Sequence, residues 1–102
     1  MLSLLLFIVD GDTFHLQGEK IRLWGVDAPE ISTQAGVDAK DYLSYLLSSG
    51  EVLCLPVDTD KYSRTVAQCW VGETDVACEM VKAGHAVDWP YFSHGHYKEC
   101  EE

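Results

Sequence analysis

The stretch Leu4-Leu-Leu-Phe-Ile-Val-Asp-Gly-Asp-Thr-Phe-His-Leu16 sets two strand-like runs, Leu4 to Val9 and Thr13 to Leu16, on either side of Asp10-Gly11-Asp12. Apolar runs broken by an Asp-Gly pair are a short-range hairpin signal. Gln17-Gly18-Glu19 supplies the next turn, and Ile21 to Val26 reads as a third strand. Ala28-Pro29 ends it, since proline has no N–H to give a ladder. From Gln34 to Ser48 the period lengthens. Val37, Ala39, Leu43, Leu46 and Leu47 recur at helical spacing, and Gly50 is placed to stop the helix. Glu51 to Val57 and Thr65 to Val71 follow as a fourth and a fifth strand, joined by the polar segment Asp58-Thr-Asp-Lys-Tyr-Ser-Arg64. A second short helix is predicted from Val76 to Ala83, with Asp75 or Thr74 as its N-cap and Gly84 after its end. The tail from Asp88 is aromatic and His-rich without clear periodicity.

Five short strands with a helix between the third and fourth, then a second helix, give a mainly β chain in the order β-β-β-α-β-β-α. That is the order of a five-stranded OB-fold barrel, with a small two-layer α+β sheet as the alternative. At 102 residues the chain is long enough for one domain, expected to span residues 1–102. Apolar residues make up 47% and charged ones 24%, which excludes a disordered chain. Seventeen acids against seven bases leave a formal net charge of −10, which excludes a histone-like binder of nucleic acid by broad basic charge. An enzyme with a few well-placed arginines is compatible with that balance. The run from Met1 to Val9 is too short to cross a bilayer and lacks a basic start and a small-residue cleavage site, so it reads as a buried first strand, with the stub of a longer export segment as the alternative. No membrane partner is expected.

Asp12, Asp27, Glu30, Arg22 and Arg64 fall at strand ends and turns. Singly, each has a plain reading. Asp12 suits a turn, Asp27 and Glu30 suit a solvated loop around proline, and Arg22 alternates with Ile21 and Leu23 and so faces solvent. Together they suit phosphodiester hydrolysis, which needs a hard cation, charge clamps on the phosphoryl oxygens, and a group acting on water. Two carboxylates and a backbone carbonyl would hold Ca²⁺ loosely, and the planar fork of arginine meets phosphate oxygens bidentately.

Val9-Asp-Gly-Asp-Thr13, Ile21-Arg-Leu-Trp-Gly-Val-Asp-Ala-Pro-Glu30 and Thr59-Asp-Lys-Tyr-Ser-Arg64 resemble, in order and spacing, the three signature blocks of the staphylococcal (micrococcal) nuclease family. Gly84-His-Ala86 fits as well, and the resemblance runs from about Leu4 to Tyr97. It implies an OB-fold and Ca²⁺-dependent cleavage of DNA and RNA, leaving a 3′-phosphate and a 5′-hydroxyl. Asp12 and Asp27 would be the metal carboxylates, with the Ala28 carbonyl as a further ligand. Glu30 would act as general base or orient the water. Arg22 and Arg64 would neutralise the phosphoryl oxygens, and Arg64 would favour departure of the 5′ oxygen. Lys61 and Tyr62 match residues that contact a terminal phosphate. Trp89, Tyr91 and Phe92 lie where base-stacking tyrosines are expected, and the alternative for them is a cap on the barrel core. Ser63 stands where the family usually has glycine, the stretch from Ile31 to Ala35 is short, and the long C-terminal helix of typical members is missing. The implied partner is DNA or RNA, preferably single-stranded, cut by a monomer. A catalytically silent nuclease-like module binding protein or nucleic acid is the alternative, but such modules usually replace some of the five charged residues that are all present here.

Cys54 shares a strand face with Val52, and Cys69 with Ala67 and Val71, so a Cys54–Cys69 bond is possible across the last two strands. Cys78 and Cys100 would then form a second bond. Free thiols, or zinc held by His94, His96, Cys78 and Cys100, are the alternatives. His15 reads as a surface residue and His85 as a packed one. Four cysteines and the habit of the family suggest a secreted or periplasmic setting.

Overall fold

The computed structural model describes residues 6–101; Leu4 and Leu5, the expected start of the first strand, lie outside them. Strands β1 (Leu6–Asp10), β2 (Thr13–Leu16) and β3 (Glu19–Leu23) form an antiparallel meander, followed by the two-residue strand β4 (Val26–Asp27). Helix α1 (Gln34–Leu47) leads to β5 (Val52–Thr59), β6 (Thr65–Val71) and the short β7 (Thr74–Asp75). Helix α2 (Val76–Lys82), β8 (Val87–Asp88), the single turn α3 (Pro90–Ser93) and a 3₁₀ turn over Lys98–Glu101 complete the described chain. The main sheet runs β1-β2-β3-β6-β5, with β3 parallel to β6 and every other pair antiparallel. Counting only the five long strands, that is the expected OB-fold order, helix α1 included.

The core follows from strand register. Ile8 faces Phe14 across β1–β2, Phe14 faces Ile21 across β2–β3, and Leu23 faces Ala67 across β3–β6. All five are buried, and Ala39, Leu43, Leu46 and Leu47 of α1 close over them together with Val76, Ala77, Met80 and Val81 of α2. Each large aliphatic side chain so buried contributes about 1.5–3 kcal/mol. Gly36, not Val37, completes the inner stripe of α1, and Val37 points outward.

Three boundaries differ from the sequence reading. The third strand does not run through to Val26, because the chain turns at Trp24-Gly25 and restarts as β4. Gly50 does not stop α1. Serines do so: the Ser48 N–H bonds to the Ser44 carbonyl (3.1 Å), and the Ser49 hydroxyl to the Leu46 carbonyl (2.6 Å). The fifth strand is as expected, whereas the fourth continues to Thr59 past an irregularity between Pro56 and Asp58. Helix α2 is capped by Asp75, whose side chain accepts from the Cys78 N–H, and ends with Gly84 N–H on the Val81 carbonyl and His85 N–H on that of Met80. Those two bonds close the helix C-terminus in the Schellman pattern.

Both disulfides form. Cys54–Cys69 joins residues directly opposite on β5 and β6, and Cys78–Cys100 ties α2 to the final 3₁₀ turn. With no cysteine free, the thiol and zinc alternatives fall. The tail is also ordered by Tyr97, a fully buried side chain whose hydroxyl donates to the Asp75 carboxylate (2.9 Å). Burial, and then the Asp75 charge, push the Tyr97 phenol above its ordinary value, so it remains a donor throughout the physiological range. His85 is packed as expected, its ring 4.9 Å from that of Tyr42.

Replacing both Cys78 and Cys100 by serine removes a cross-link closing 22 residues. A stability loss of about 3 kcal/mol is expected from the unfolded-chain entropy, read as a lower urea midpoint. An unchanged midpoint would show that the tail docks without the bond.

Candidate active site

Arg22 departs furthest from its sequence reading. It is 9% exposed rather than solvent-facing. Pairing of β4 with β8 brings Trp89 over it, and the Trp89 ring centroid lies 5.2 Å from the guanidinium carbon. Arg22 Nη1 donates to the carbonyls of Leu23 (2.8 Å) and Val26 (2.9 Å). Its Nη2 lies 3.6 Å from Asp12 Oδ2 and 3.7 Å from Asp27 Oδ1. One guanidinium therefore gathers the two carboxylates while its other end is locked to the backbone between them.

Asp12 is more than a turn former. It is buried; its Oδ2 accepts from the Ala28 N–H (2.9 Å), and its Oδ1 accepts from the Thr13 hydroxyl (3.2 Å). Burial pushes its carboxyl up to about 6, against the Arg22 charge and the Ala28 N–H, while the neighbouring Asp10 carboxylate adds to the rise. The buried charge is thus incompletely compensated by the protein's own groups. The turn can approach Ala28 because Gly11 has no side chain: a Cβ there would lie 2.7 Å from that of Ala39 and 2.8 Å from that of Ala28. Gly36 does the same for the next stretch, where a Cβ would fall 1.8 Å from the Glu30 carbonyl oxygen. That oxygen accepts from the Thr33 N–H (3.0 Å) and hydroxyl (2.7 Å), so the N-terminus of α1 fixes the Glu30 backbone. The Glu30 side chain is exposed, and its carboxylate makes no ion pair or hydrogen bond among the described residues.

Arg64 arrives from the β5–β6 loop. Asp60 Oδ2 accepts from its Nε (2.8 Å), while Asp60 Oδ1 accepts from the backbone N–H groups of Tyr62 (2.9 Å) and Arg64 (3.0 Å). Burial opposes ionisation of Asp60, but those N–H groups and the Arg64 guanidinium outweigh it and hold the carboxyl below its ordinary value. Arg64 Nη1 reaches the Thr13 hydroxyl at 3.4 Å, which links it through Thr13 to Asp12. Tyr62 is exposed between two cations, with Arg64 Cζ 5.3 Å and Lys61 Nζ 5.4 Å from its ring centroid. Ser63 takes φ 65°, the left-handed conformation that explains a preference for glycine there. Trp89, Phe92 and Tyr91 form an edge-to-face series of rings, with Trp89–Phe92 centroids 4.6 Å and Phe92–Tyr91 centroids 4.9 Å apart. They are 37%, 46% and 79% exposed, so they do not cap the core.

Asp12, Asp27, Arg22 and Ala28 are thus in direct contact, Arg64 is joined through Thr13, Trp89 covers Arg22, and Glu30 is held nearby in the chain by its backbone alone. Sequence reasoning did not single out Thr13 or Asp60. An aspartate four residues before an arginine in a polar turn was the available signal for Asp60. Hard oxygen ligands, few in number, with a buried carboxylate short of compensation, fit an oxygen-preferring cation such as Ca²⁺ better than a transition metal. No group of three or more His, Cys, Asp or Glu side chains gathers among the described residues, so a backbone carbonyl such as that of Ala28 would have to complete the protein's share.

A family model described as staphylococcal nuclease homologue matches residues 20–102. The chain belongs to that family. It is 35% identical over 103 residues to an uncharacterised endonuclease of Haemophilus influenzae, covering 93% of this chain and 57% of that protein. To Protein ParB of Escherichia coli it is 33% identical, covering 92% and 59%. Endonuclease YhcR of Bacillus subtilis matches 92% of the chain at 32% identity, over 10% of its own length. The chain thus spans little more than half of the first two relatives.

The Asp12 shift has a sign that can be tested in chelator. Its carboxyl titrates near 6 in the folded chain against 3.8 as the ordinary value, so the folded state holds the proton more tightly. The associated stability is complete below the lower value and is lost as pH rises through the upper one. Lowering the pH from about 7 to 4 should let Asp12 add on the order of 2 kcal/mol to chelated protein, measured by urea unfolding. Asp12→Asn should flatten that dependence, and identical pH profiles for both proteins would refute the assignment.

Proposed function

We propose that this member of the nuclease family is a Ca²⁺-dependent endonuclease that hydrolyses phosphodiester bonds of DNA or RNA. The observation that carries the reading is the convergence of Asp12, Asp27 and buried Arg22, with Arg64 tied to the same cluster through Thr13. The names of the Haemophilus and Bacillus relatives, both endonucleases, support it.

Asp12, Asp27 and the Ala28 carbonyl would hold the ion, which supplies charge for a phosphate oxygen and lowers the pKa of a bound water. Arg22, locked by its backbone bonds, meets one phosphoryl oxygen without having to reorganise. Arg64, oriented by Asp60, meets another and favours departure of the 5′ oxygen. The free carboxylate of Glu30 takes the proton of the attacking water. A water oxygen bonds to phosphorus as the phosphorus–5′ oxygen bond breaks; the departing oxygen takes a proton from solvent, Glu30 later returns its own proton to solvent, and the products are a 3′-phosphate and a 5′-hydroxyl. Lys61 and Tyr62 bind a neighbouring phosphate. Trp89, Tyr91 and Phe92 offer exposed ring faces to unpaired bases, which favours single strands, each stacked base being worth about 1–3 kcal/mol. With all these groups on one chain, the reading is of a monomer. Two disulfides support a secreted or periplasmic setting.

Cleavage of a fluorescent single-stranded DNA should require Ca²⁺, stop with EGTA, and fall by about 100-fold or more in Glu30→Gln and in Arg64→Ala. Absence of cutting by folded wild-type protein would favour a silent binding module.

A further inference from the structure

The segment Asp88-Trp-Pro-Tyr-Phe-Ser-His-Gly-His-Tyr97 is closed on itself by a buried carboxylate outside the Asp12, Asp27 and Arg22 cluster. Asp88 Oδ1 accepts from the Ser93 hydroxyl (2.5 Å) and from the Tyr97 N–H (3.2 Å). Ser93 Oγ in turn accepts from the Gly95 N–H (2.9 Å). The backbone of Asp88 is also held, its N–H donating to Glu101 Oε2 (3.0 Å) and its strand pairing with Val26. A carboxylate is costly to bury unless it is hydrogen-bonded, and the hydrolytic chemistry has no use for this one. Its role is therefore to be sought in what it holds.

What it holds is the next residue. The Trp89 N–H donates to the Gly25 carbonyl (2.8 Å), and the Trp89 carbonyl accepts from the N–H groups of Phe92 (3.0 Å) and Ser93 (3.0 Å). The Asp88–Ser93 bond closes the loop across that turn. Val26 joins the two sides, since its strand pairs with Asp88 while its carbonyl accepts from Arg22. We propose that Asp88 is a positioning residue that, through Ser93 and Tyr97, sets the Trp89 ring against Arg22 and so fixes the wall on which a substrate base packs beside the clamped phosphate. The inference that a base packs there rests on the nuclease reading; the placement of Trp89 by Asp88 does not.

Two readouts separate these. The first is the NMR resonance of the Arg22 Nε–H, which feels the ring current of Trp89 whether or not the protein cuts anything. Trp89→Leu, Asp88→Ala and Ser93→Ala should each move it in the same direction, and Asp88→Asn, which keeps an acceptor oxygen, should move it least. The second is kinetic, on a short fluorescent oligothymidylate with Ca²⁺. Asp88→Ala should raise KM about tenfold, within the range that stacking on one aromatic ring spans, with a smaller change in kcat. The Asp88→Ala, Trp89→Leu double variant should bind no worse than Trp89→Leu alone, as expected when one residue acts through the other. An unmoved Arg22 resonance in folded Asp88→Ala or Ser93→Ala protein would overturn the proposal, and so would KM penalties that add. If Asp88→Ala fails to fold, Ser93→Ala carries both readouts. If wild-type protein cuts nothing, the nuclease reading fails and the resonance alone decides the positioning.

Discussion

Burial of the Arg22 guanidinium is the constraint on which the rest of the site depends. A charged group out of water must be both paired and hydrogen-bonded, or it destabilises the fold. Here the need is met by four partners at once, two backbone carbonyls and the carboxylates of Asp12 and Asp27. The carbonyls belong to Leu23 and Val26, on either side of the Trp24-Gly25 turn, so the break between β3 and β4 is also what presents them.

The same geometry makes the site rigid on one side and open on the other. Arg22, Asp12 and Thr13 sit on the barrel and are buried. Glu30 and Tyr62 are exposed on loops, and each loop is fastened by side chains rather than by sheet pairing. Thr33 holds the backbone of Glu30, and Asp60 holds Arg64 together with the N–H of Tyr62. The buried charged groups are therefore preorganised, whereas the Glu30 and Tyr62 side chains keep access to solvent. The net charge of −10 makes this arrangement more consequential. That charge gives little long-range attraction for a polyanion, so on the proposed reading selection would rest on short-range contacts of the arginines and rings.

The C-terminal part of the chain is small in regular structure but holds one wall of the site. Its ordering comes from unrelated bonds, namely the Cys78–Cys100 disulfide, the buried Tyr97–Asp75 contact and the β4–β8 pairing. None of them has a periodicity, and a reading by hydrophobic period therefore found only an aromatic tail.

The sequence by itself determined the five main strands, the long helix α1 and the short helix α2, because alternation, helical spacing and turn residues are local properties that register in neighbouring positions. It also determined which charged residues were worth attention, through the spacing of three motif blocks. Tertiary structure alone decided that Arg22 is buried, since its outer face is covered by Trp89 from a segment far along the chain. It decided, too, that burial pushes the Asp12 carboxyl up, that Thr13 joins Arg64 to Asp12, and that Asp60 holds Arg64 while Asp88 is buried and hydrogen-bonded to Ser93. The disulfide pairing Cys54–Cys69 and Cys78–Cys100, readable from strand faces as one alternative, was settled over free thiols only by the fold. Each of these depends on which distant residues meet across the barrel, and local pattern holds no record of that.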